Sequence, residues 1–169
     1  QEGFGTEIYP DGTRRRTFNI RDDCMGEVGM MYAMDYVKNR TERSKQIAGN
    51  LFSYCYDYMQ CKEKGPFHGM VGWTDSAWGV CYTHDTARLI VGELLQNLYL
   101  GTDTHMQEIQ DALDYLIRTS GSDGLRARRL DNVNLDEEKI RQIHSSPCDD
   151  PEPGDAYFFM ALLIFYKIT

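Results

Sequence analysis

The segment YTHDTARLIVGELL, residues 82–95, decides the fold because a polar start leads into an uninterrupted apolar body. The pattern predicts a helix from Asp85 to Leu100 that ends at Gly101. Its apolar residues point in nearly every direction, and such a helix must be covered on all sides. The segment therefore predicts an inner helix of a layered helical domain.

Four further segments carry helical signals and alternate in character. Residues 21–39 and 156–168 are apolar on nearly every side, whereas residues 41–60 and 103–119 each carry a single apolar stripe. The alternation predicts inner helices covered by outer, amphipathic ones. We expect an all-α fold of helical hairpins in two layers, with about three hairpins, resembling half of an (α/α)₆ toroid.

The two ends of the chain complete this organisation. A Pro-Asp-Gly turn at residues 10–12 predicts a short β-hairpin within residues 1–20, and residues 21–169 form the toroid-like segment. The chain begins at Gln1 without a signal peptide, which indicates a processed N-terminus or a segment of a longer protein. A cytoplasmic and an exported, periplasmic location both stay open.

Composition limits the partners. A net charge of −8 argues against nucleic acid, because phosphate binding needs a basic surface. The apolar run at residues 156–166 is about half as long as the ~20 residues that a membrane helix needs, so no membrane contact is predicted. The cysteines form no C-x-x-C pair, and no phosphate-binding glycine loop or H-E-x-x-H motif occurs. We predict neither a metal nor a cofactor.

Two short motifs carry a resemblance to a known group. Arg21-x-Asp23-Cys24 with Glu27, and Tyr82-x-x-Asp85-x-Ala87-Arg88, resemble a group of bacterial proteins predicted to be glycoside hydrolases. That group is similar to the six-hairpin glycosidase superfamily, and the resemblance runs from about residue 4 to the end of the chain. It implies an α/α toroid and carbohydrate as the substrate.

In a toroid the inner helices are parallel, so residues at their N-terminal ends share one side of the fold. Cleavage of a glycosidic bond needs two carboxyl groups flanking the bond. The candidate catalytic carboxylates are Asp85, Asp75, Asp23 and Asp22. The candidate substrate-binding residues, which add aromatic faces and hydrogen-bonding groups, are Trp73, Trp78, His84, Arg88, Tyr82 and Glu27.

Each candidate also has a structural interpretation. Helix capping alone explains Asp23, Asp85 and Asp155. Arg88 is either a buried partner of an aspartate in the neighbouring hairpin or a substrate-binding group. His84 also has a structural interpretation, as a hydrogen-bonded histidine. The remaining candidates also have two interpretations each. The tryptophans either close the end of the core or stack on a sugar. Glu27 either pairs with an arginine or faces the cavity.

Two functions remain open from the sequence. The first is a glycoside hydrolase segment that acts on an oligo- or polysaccharide through a carboxylate pair. The alternative is a non-catalytic helical module that binds carbohydrate or packs against another domain. Half a toroid also leaves apolar edges, so we expect self-association or packing against the rest of a full-length chain.

Overall fold

The computed structural model describes residues 4–151 and 155–169, and this part of the chain is mainly helical, as predicted. The helices are α1 (Asp22–Asn39), α2 (Glu42–Tyr54), α3 (Thr83–Leu100), α4 (Met106–Arg118), α5 (Glu137–His144) and α6 (Asp155–Ile168). A π-helical turn, Cys55–Met59, directly continues α2. No helix in the described ranges combines the length and apolarity needed to cross a membrane.

Two small antiparallel sheets accompany the helices. Strand β1 (Phe4–Ile8) pairs with β2 (Arg14–Phe18), which is the predicted hairpin, and Gly12 at its turn has φ +82°. Residues 1–3 of the predicted N-terminal element lie outside the described residues. Strand β3 (Val80–Tyr82) pairs with β4 (Arg129–Asp131) and so joins the segment before α3 to the segment after α4.

The helices form the two expected layers. Helices α1, α3 and α6 lie side by side, with α3 in the middle, while α2 packs against α1 and α4 follows α3 as its outer partner. The chain therefore contains two complete hairpins and the inner helix of a third. The short helix α5 lies beside the end of α4, where Ile117 and Ile140 line one cavity.

Small residues allow α1 and α3 to approach very closely. A Cβ atom added at Gly26 of α1 would lie 2.4 Å from the Cα of Leu89, and one added at Gly92 of α3 would lie 2.6 Å from the carbonyl oxygen of Gly26. Phe52 of α2 packs over this seam against Gly29 and Gly92. The contacts pair the start of α1 with the start of α3, so the two inner helices are parallel.

Several element boundaries differ from the predicted ones. Helix α3 starts at Thr83 rather than Asp85, and Tyr82 occupies its cap position without a side-chain hydrogen bond. The reason is tertiary: the Thr83 hydroxyl donates to the carbonyl of Ala127 at 2.8 Å, which fixes the helix start two residues early. In α5 the cap is Asp136, which accepts from the backbone N–H of Lys139.

Helix α6 is less covered than an inner helix was predicted to be. Phe158 and Ala161 are buried against α3, whereas Leu163 is 66% exposed and Tyr166 is 80% exposed. Phe159 and Met160 add to the same open face. Helix α6 therefore leaves an apolar face open to solvent.

The glycine seam gives the first testable prediction. Replacing Gly26 with alanine should destabilise the protein by about 1–3 kcal/mol, because the new Cβ meets the backbone of Leu89 and α1 must move away from α3. Gly49→Ala in α2 is the matched control. A Cβ there meets nothing within 4 Å, so the substitution should raise stability by up to about 1 kcal/mol through helix propensity.

Chemical denaturation of the two variants and the parent provides the measurement. Equal stability of Gly26→Ala and the parent protein would show that the close helix contact is not needed.

Candidate active site

The loop between α2 and α3 folds back onto the start of α1. Arg21 forms an isolated β-bridge with Thr74, and the backbone N–H of Asp22 donates to the carbonyl of Trp73 at 3.2 Å. The N–H of Asp75 donates to the carbonyl of Ile20 at 3.1 Å. These bonds fix Trp73 at the N-terminal end of the inner helices.

Three carboxyl groups meet at that end. Asp22 and Asp23 come from the first turn of α1, and Asp85 comes from the first turn of α3. One oxygen from each lies within 4.8 Å of the others. The residues are 0%, 3% and 2% exposed in that order, so the cluster is buried. The parallel helices thus bring together three of the four predicted catalytic carboxylates.

Two arginines neutralise part of this charge. Arg21 places Nη2 at 2.7 Å from Oδ2 of Asp23 and 3.4 Å from Oδ2 of Asp85. Arg88 places Nη1 at 3.4 Å from the same Asp23 oxygen and 3.4 Å from Oε1 of Glu27. Arg88 therefore pairs with an aspartate of the neighbouring hairpin, and Glu27 meets an arginine, as the structural interpretations expected.

His84 and three aromatic residues surround the cluster. Nε2 of His84 lies 2.7 Å from Oδ1 of Asp85. The ring of Tyr82 packs edge-on against Trp73 at 5.1 Å and against His84 at 6.3 Å. Trp73 lies under the Arg21 guanidinium, and Tyr157 of α6 lies under that of Arg88. All three inner helices therefore contribute to one site.

Asp22 is the most deeply buried of the three carboxyls. Its Oδ1 accepts from the backbone N–H of Asp23 at 2.9 Å, and its Oδ2 accepts from the Thr86 hydroxyl at 3.1 Å. Burial raises the pKa of Asp22 well above its usual value, and the neighbouring charges of Asp85 and Asp23 raise it further. Asp22 is completely buried and cannot contact a ligand directly. It links α1 to α3 through Thr86 and adds a third carboxyl group to the cluster.

Asp85 is the buried carboxyl group from the first turn of α3. Burial raises the pKa of its carboxyl group, and the carboxylate of Asp23 contributes in the same direction. His84, Arg21 and Arg88 oppose the rise. Raised pKa values of this kind are characteristic of carboxyl groups that act as general acids near neutral pH.

The capping interpretation is wrong for Asp23 and Asp85. Asp85 is the third residue of α3, and α1 begins at Asp22 with Arg21 in the cap position and no side-chain cap bond. Asp155 is the first residue of α6, and its Oδ2 accepts from the backbone N–H of Arg126 at 3.3 Å. Asp23 and Asp85 therefore pair with side chains of other segments instead of capping their own helices, and Asp155 connects α6 to the segment that follows α4.

Two predicted site residues lie outside the cluster. Asp75 is exposed, and its Oδ1 accepts from the backbone N–H of Ile20 at 3.2 Å. Trp78 is 41% exposed, and its backbone lies against Gly72, where an added Cβ would be 3.0 Å from the Trp78 Cα. The structure therefore joins Trp73, and not Trp78, to the aromatic side of the site.

The three aspartates also have a spacing that a metal ion could use. The guanidinium groups of Arg21 and Arg88 already lie against Oδ2 of Asp23, so a cation bound there would displace them.

Sequence reasoning missed three residues of this site. Arg21 was named only in the motif with Asp23 and Cys24, whereas it bridges Asp23 and Asp85. Thr86 and Tyr157 were not singled out. Thr86 follows Asp85 directly and Tyr157 lies in the first turn of α6, so their positions at the starts of inner helices were the available signal.

Comparison with solved structures shows that this fold also occurs in a known protein. The structure is similar to that of a Clostridium perfringens protein described as "a novel alpha-amylase", with a TM-score of 0.56 and 14% sequence identity. The similarity covers 99% of this chain and 48% of that chain, so this chain spans about half the length of the similar protein. At this identity the similarity shows the fold alone. No protein-family model and no curated protein matches the chain.

The burial of Asp22 predicts that removing its charge stabilises the protein near neutral pH. Its folded-state pKa lies above the unfolded value near 3.8, so the folded state holds the proton more tightly. The contribution of Asp22 to the free energy of unfolding therefore increases as the pH falls through the raised pKa and decreases as the pH rises through it. Asp22→Asn should therefore raise the melting temperature near pH 7, by about 2–4 °C for each 1 kcal/mol relieved, and flatten its pH dependence.

Asp35→Asn is the control with the opposite sign. Hydrogen bonds from Ser44 and Asn39 lower the pKa of Asp35, so this substitution should cost stability near neutral pH and nothing in acid. Thermal melting of both variants between pH 4 and pH 8 makes the comparison. A lower melting temperature for Asp22→Asn at neutral pH would contradict the expected electrostatic cost.

Proposed function

We propose that this chain carries the catalytic end of a glycoside hydrolase, with Asp85 as general acid and Asp23 as the second carboxylate. The observation that carries the proposal is the buried carboxyl cluster beside Trp73 and Tyr82 at the shared end of the inner helices. Glycosidic cleavage needs two carboxyl groups on either side of the bond, and aromatic faces bind the apolar faces of sugar rings.

In the proposed chemistry the different environments of Asp85 and Asp23 give the two carboxyl groups different roles. Asp85, whose pKa burial raises, donates its proton to the glycosidic oxygen as the bond to the anomeric carbon breaks. The Asp23 carboxylate, held by Arg21 and Arg88, attacks the anomeric carbon and forms a glycosyl ester. Water then cleaves the ester, and Asp85 takes a proton from that water.

The spacing favours a retaining reaction. One oxygen of Asp23 and one oxygen of Asp85 lie within 4.8 Å of each other, which is shorter than the about 6.5–9.5 Å between the carboxyl groups of inverting enzymes. Both carboxyls lie beneath side chains that solvent reaches, among them Arg21 with 36% and His84 with 20% of the side chain exposed. A sugar must therefore pass between these side chains to reach the carboxyls.

Substitution of Asp85 tests the catalytic role. Asp85→Asn removes the transferable proton and should lower oligosaccharide turnover by about 10²–10⁴-fold. Its melting temperature should not fall, because a neutral amide avoids the cost of burying this carboxylate. Turnover is measured by release of reducing ends from a panel of neutral and acidic oligosaccharides.

Asp75→Asn is the control for Asp85→Asn. Asp75 is an exposed carboxylate outside the cluster, so this variant should keep full turnover. Full activity in Asp85→Asn, or the same loss in both variants, would exclude Asp85 as the acid.

A second candidate function rests on the open face of α6. Phe159, Met160, Leu163 and Tyr166 form an exposed apolar stripe, which monomeric proteins rarely leave uncovered. The chain covers 48% of the similar amylase, a proportion that agrees with further helices packing on this face. In this alternative the chain is a helical module whose task is to pack against more protein.

The α6 face gives a prediction for the isolated chain. We expect concentration-dependent self-association, and Leu163→Glu should weaken it about tenfold or more by placing a charge in the apolar contact. Val133→Glu is the matched control, because Val133 is 88% exposed away from α6. Sedimentation equilibrium provides the measurement, and a monomer at all concentrations would contradict this role of α6.

A further inference from the structure

The two arginines of the site are held in one place from two sides. Both guanidinium groups approach Oδ2 of Asp23, Arg21 at 2.7 Å and Arg88 at 3.4 Å. On the other side, Arg21 lies 5.5 Å from the centre of the Trp73 ring and Arg88 lies 5.3 Å from that of Tyr157. Pre-positioned guanidinium groups lose little entropy when they bind a further group.

Both arginines are nevertheless open to solvent. The side chains of Arg21 and Arg88 are 36% and 28% exposed, whereas that of Asp23 beneath them is 4% exposed. A ligand that approaches the cluster therefore meets the guanidinium groups before it meets the carboxylates.

The groups that the site presents to solvent are hydrogen-bond donors. The exposed guanidinium groups of Arg21 and Arg88 donate and cannot accept, whereas Asp23 beneath them is 4% exposed. A sugar hydroxyl brings a donor together with each acceptor, whereas a carboxylate or a sulfate brings acceptors alone. Exposed guanidinium groups therefore suit the second kind of group.

Glu27 occupies the position that such a group would take. Its Oε1 lies 3.4 Å from Nη1 of Arg88, and its side chain is 47% exposed, the most of any carboxylate paired with these arginines. An incoming anion that replaces the Glu27 carboxylate would leave the charge balance at Arg88 unchanged. Glu27 is therefore a weakly held competitor for the same cation.

We propose that the site selects carbohydrates that carry a carboxylate or sulfate group, which Arg21 and Arg88 bind in place of Glu27. The proposal rests on the proposed glycoside hydrolase function and adds the substrate class. The anion forms charge-assisted hydrogen bonds with the arginines, and the sugar ring to which it belongs lies against Trp73.

Equilibrium binding tests this without any need for turnover. Glucose, glucuronate and glucose 6-sulfate share one ring and differ at a single carbon, so they separate the sugar from the charge and one anion from the other. We expect one or both anionic sugars to bind at least about tenfold more tightly than glucose, as calorimetry at low salt would measure. Equal binding of all three sugars, or no binding of any, would overturn the proposal.

Three variants test whether Arg88 and Glu27 determine the preference for anionic sugars. Arg88→Gln should remove the preference for the anionic sugar, and Glu27→Gln should strengthen binding of that sugar severalfold because the competing carboxylate is gone. Arg118→Gln is the control, because Arg118 lies on α4 and donates to the carbonyl of His68. This variant should change neither the preference for the anionic sugar nor its affinity. If Arg88→Gln fails to fold, Glu27→Gln still decides the matter, since weaker or unchanged binding there contradicts the competitor role.

The outcomes also separate this proposal from the proposed function. Asp85-dependent cleavage of neutral oligosaccharides, without tighter binding of the anionic sugars, would retain the hydrolase and reject the anionic substrate. Tight, Arg88-dependent binding without any Asp85-dependent cleavage would reject the hydrolase and retain the anion site.

Discussion

The close contact of α1 with α3 is the constraint on which the rest of the structure depends. Gly26 and Gly92 have no side chains, so the two backbones approach until a single Cβ would collide with the opposite helix. The contact fixes the register of the two helices as well as their separation. Because the helices are parallel, the same register places Asp22 and Asp23 of α1 beside Asp85 of α3. The geometry of the carboxyl cluster is thus determined several residues away from it.

Bringing three carboxyl groups together has an electrostatic cost that the surroundings offset in part. Arg21 and Arg88 supply two positive charges, and the partial positive charge at the starts of α1 and α3 also favours anions. Asp22, which meets neither guanidinium in a direct ion pair, depends on hydrogen bonds from Thr86 and from the backbone of Asp23. Groups kept in such an unfavourable state are typical of functional sites, where stability is exchanged for reactivity.

The sequence predicted the features that depend on local periodicity. Helices that are apolar all round became α1, α3 and α6, and the Pro-Asp-Gly turn became a hairpin. The start of α3 could not be predicted, because it is set by a hydrogen bond from Thr83 to Ala127, far along the chain. The pairing of β3 with β4 depends on similar long-range contacts.

The candidate site was predictable in part for the same reason. Parallel inner helices place the residues at their starts together, which correctly grouped Asp22, Asp23, Asp85 and His84. Arg21 was underrated because its two partners come from different helices. Asp75 was grouped with them as a loop carboxylate beside Trp73, but its side chain accepts from the backbone N–H of Ile20.

The completely buried Arg126 connects segments that are far apart in the sequence. Its side chain donates to the hydroxyls of Thr83 and Thr119, and its backbone N–H donates to Asp155 of α6. The guanidinium is enclosed by the β3–β4 ribbon, the start of α3 and the end of α4, all contributed by residues 80–131. The contacts of Arg126 reach 43 residues back to Thr83 and 29 residues forward to Asp155. A disturbance at this one buried position would therefore be transmitted to the starts of two inner helices, α3 and α6, at once.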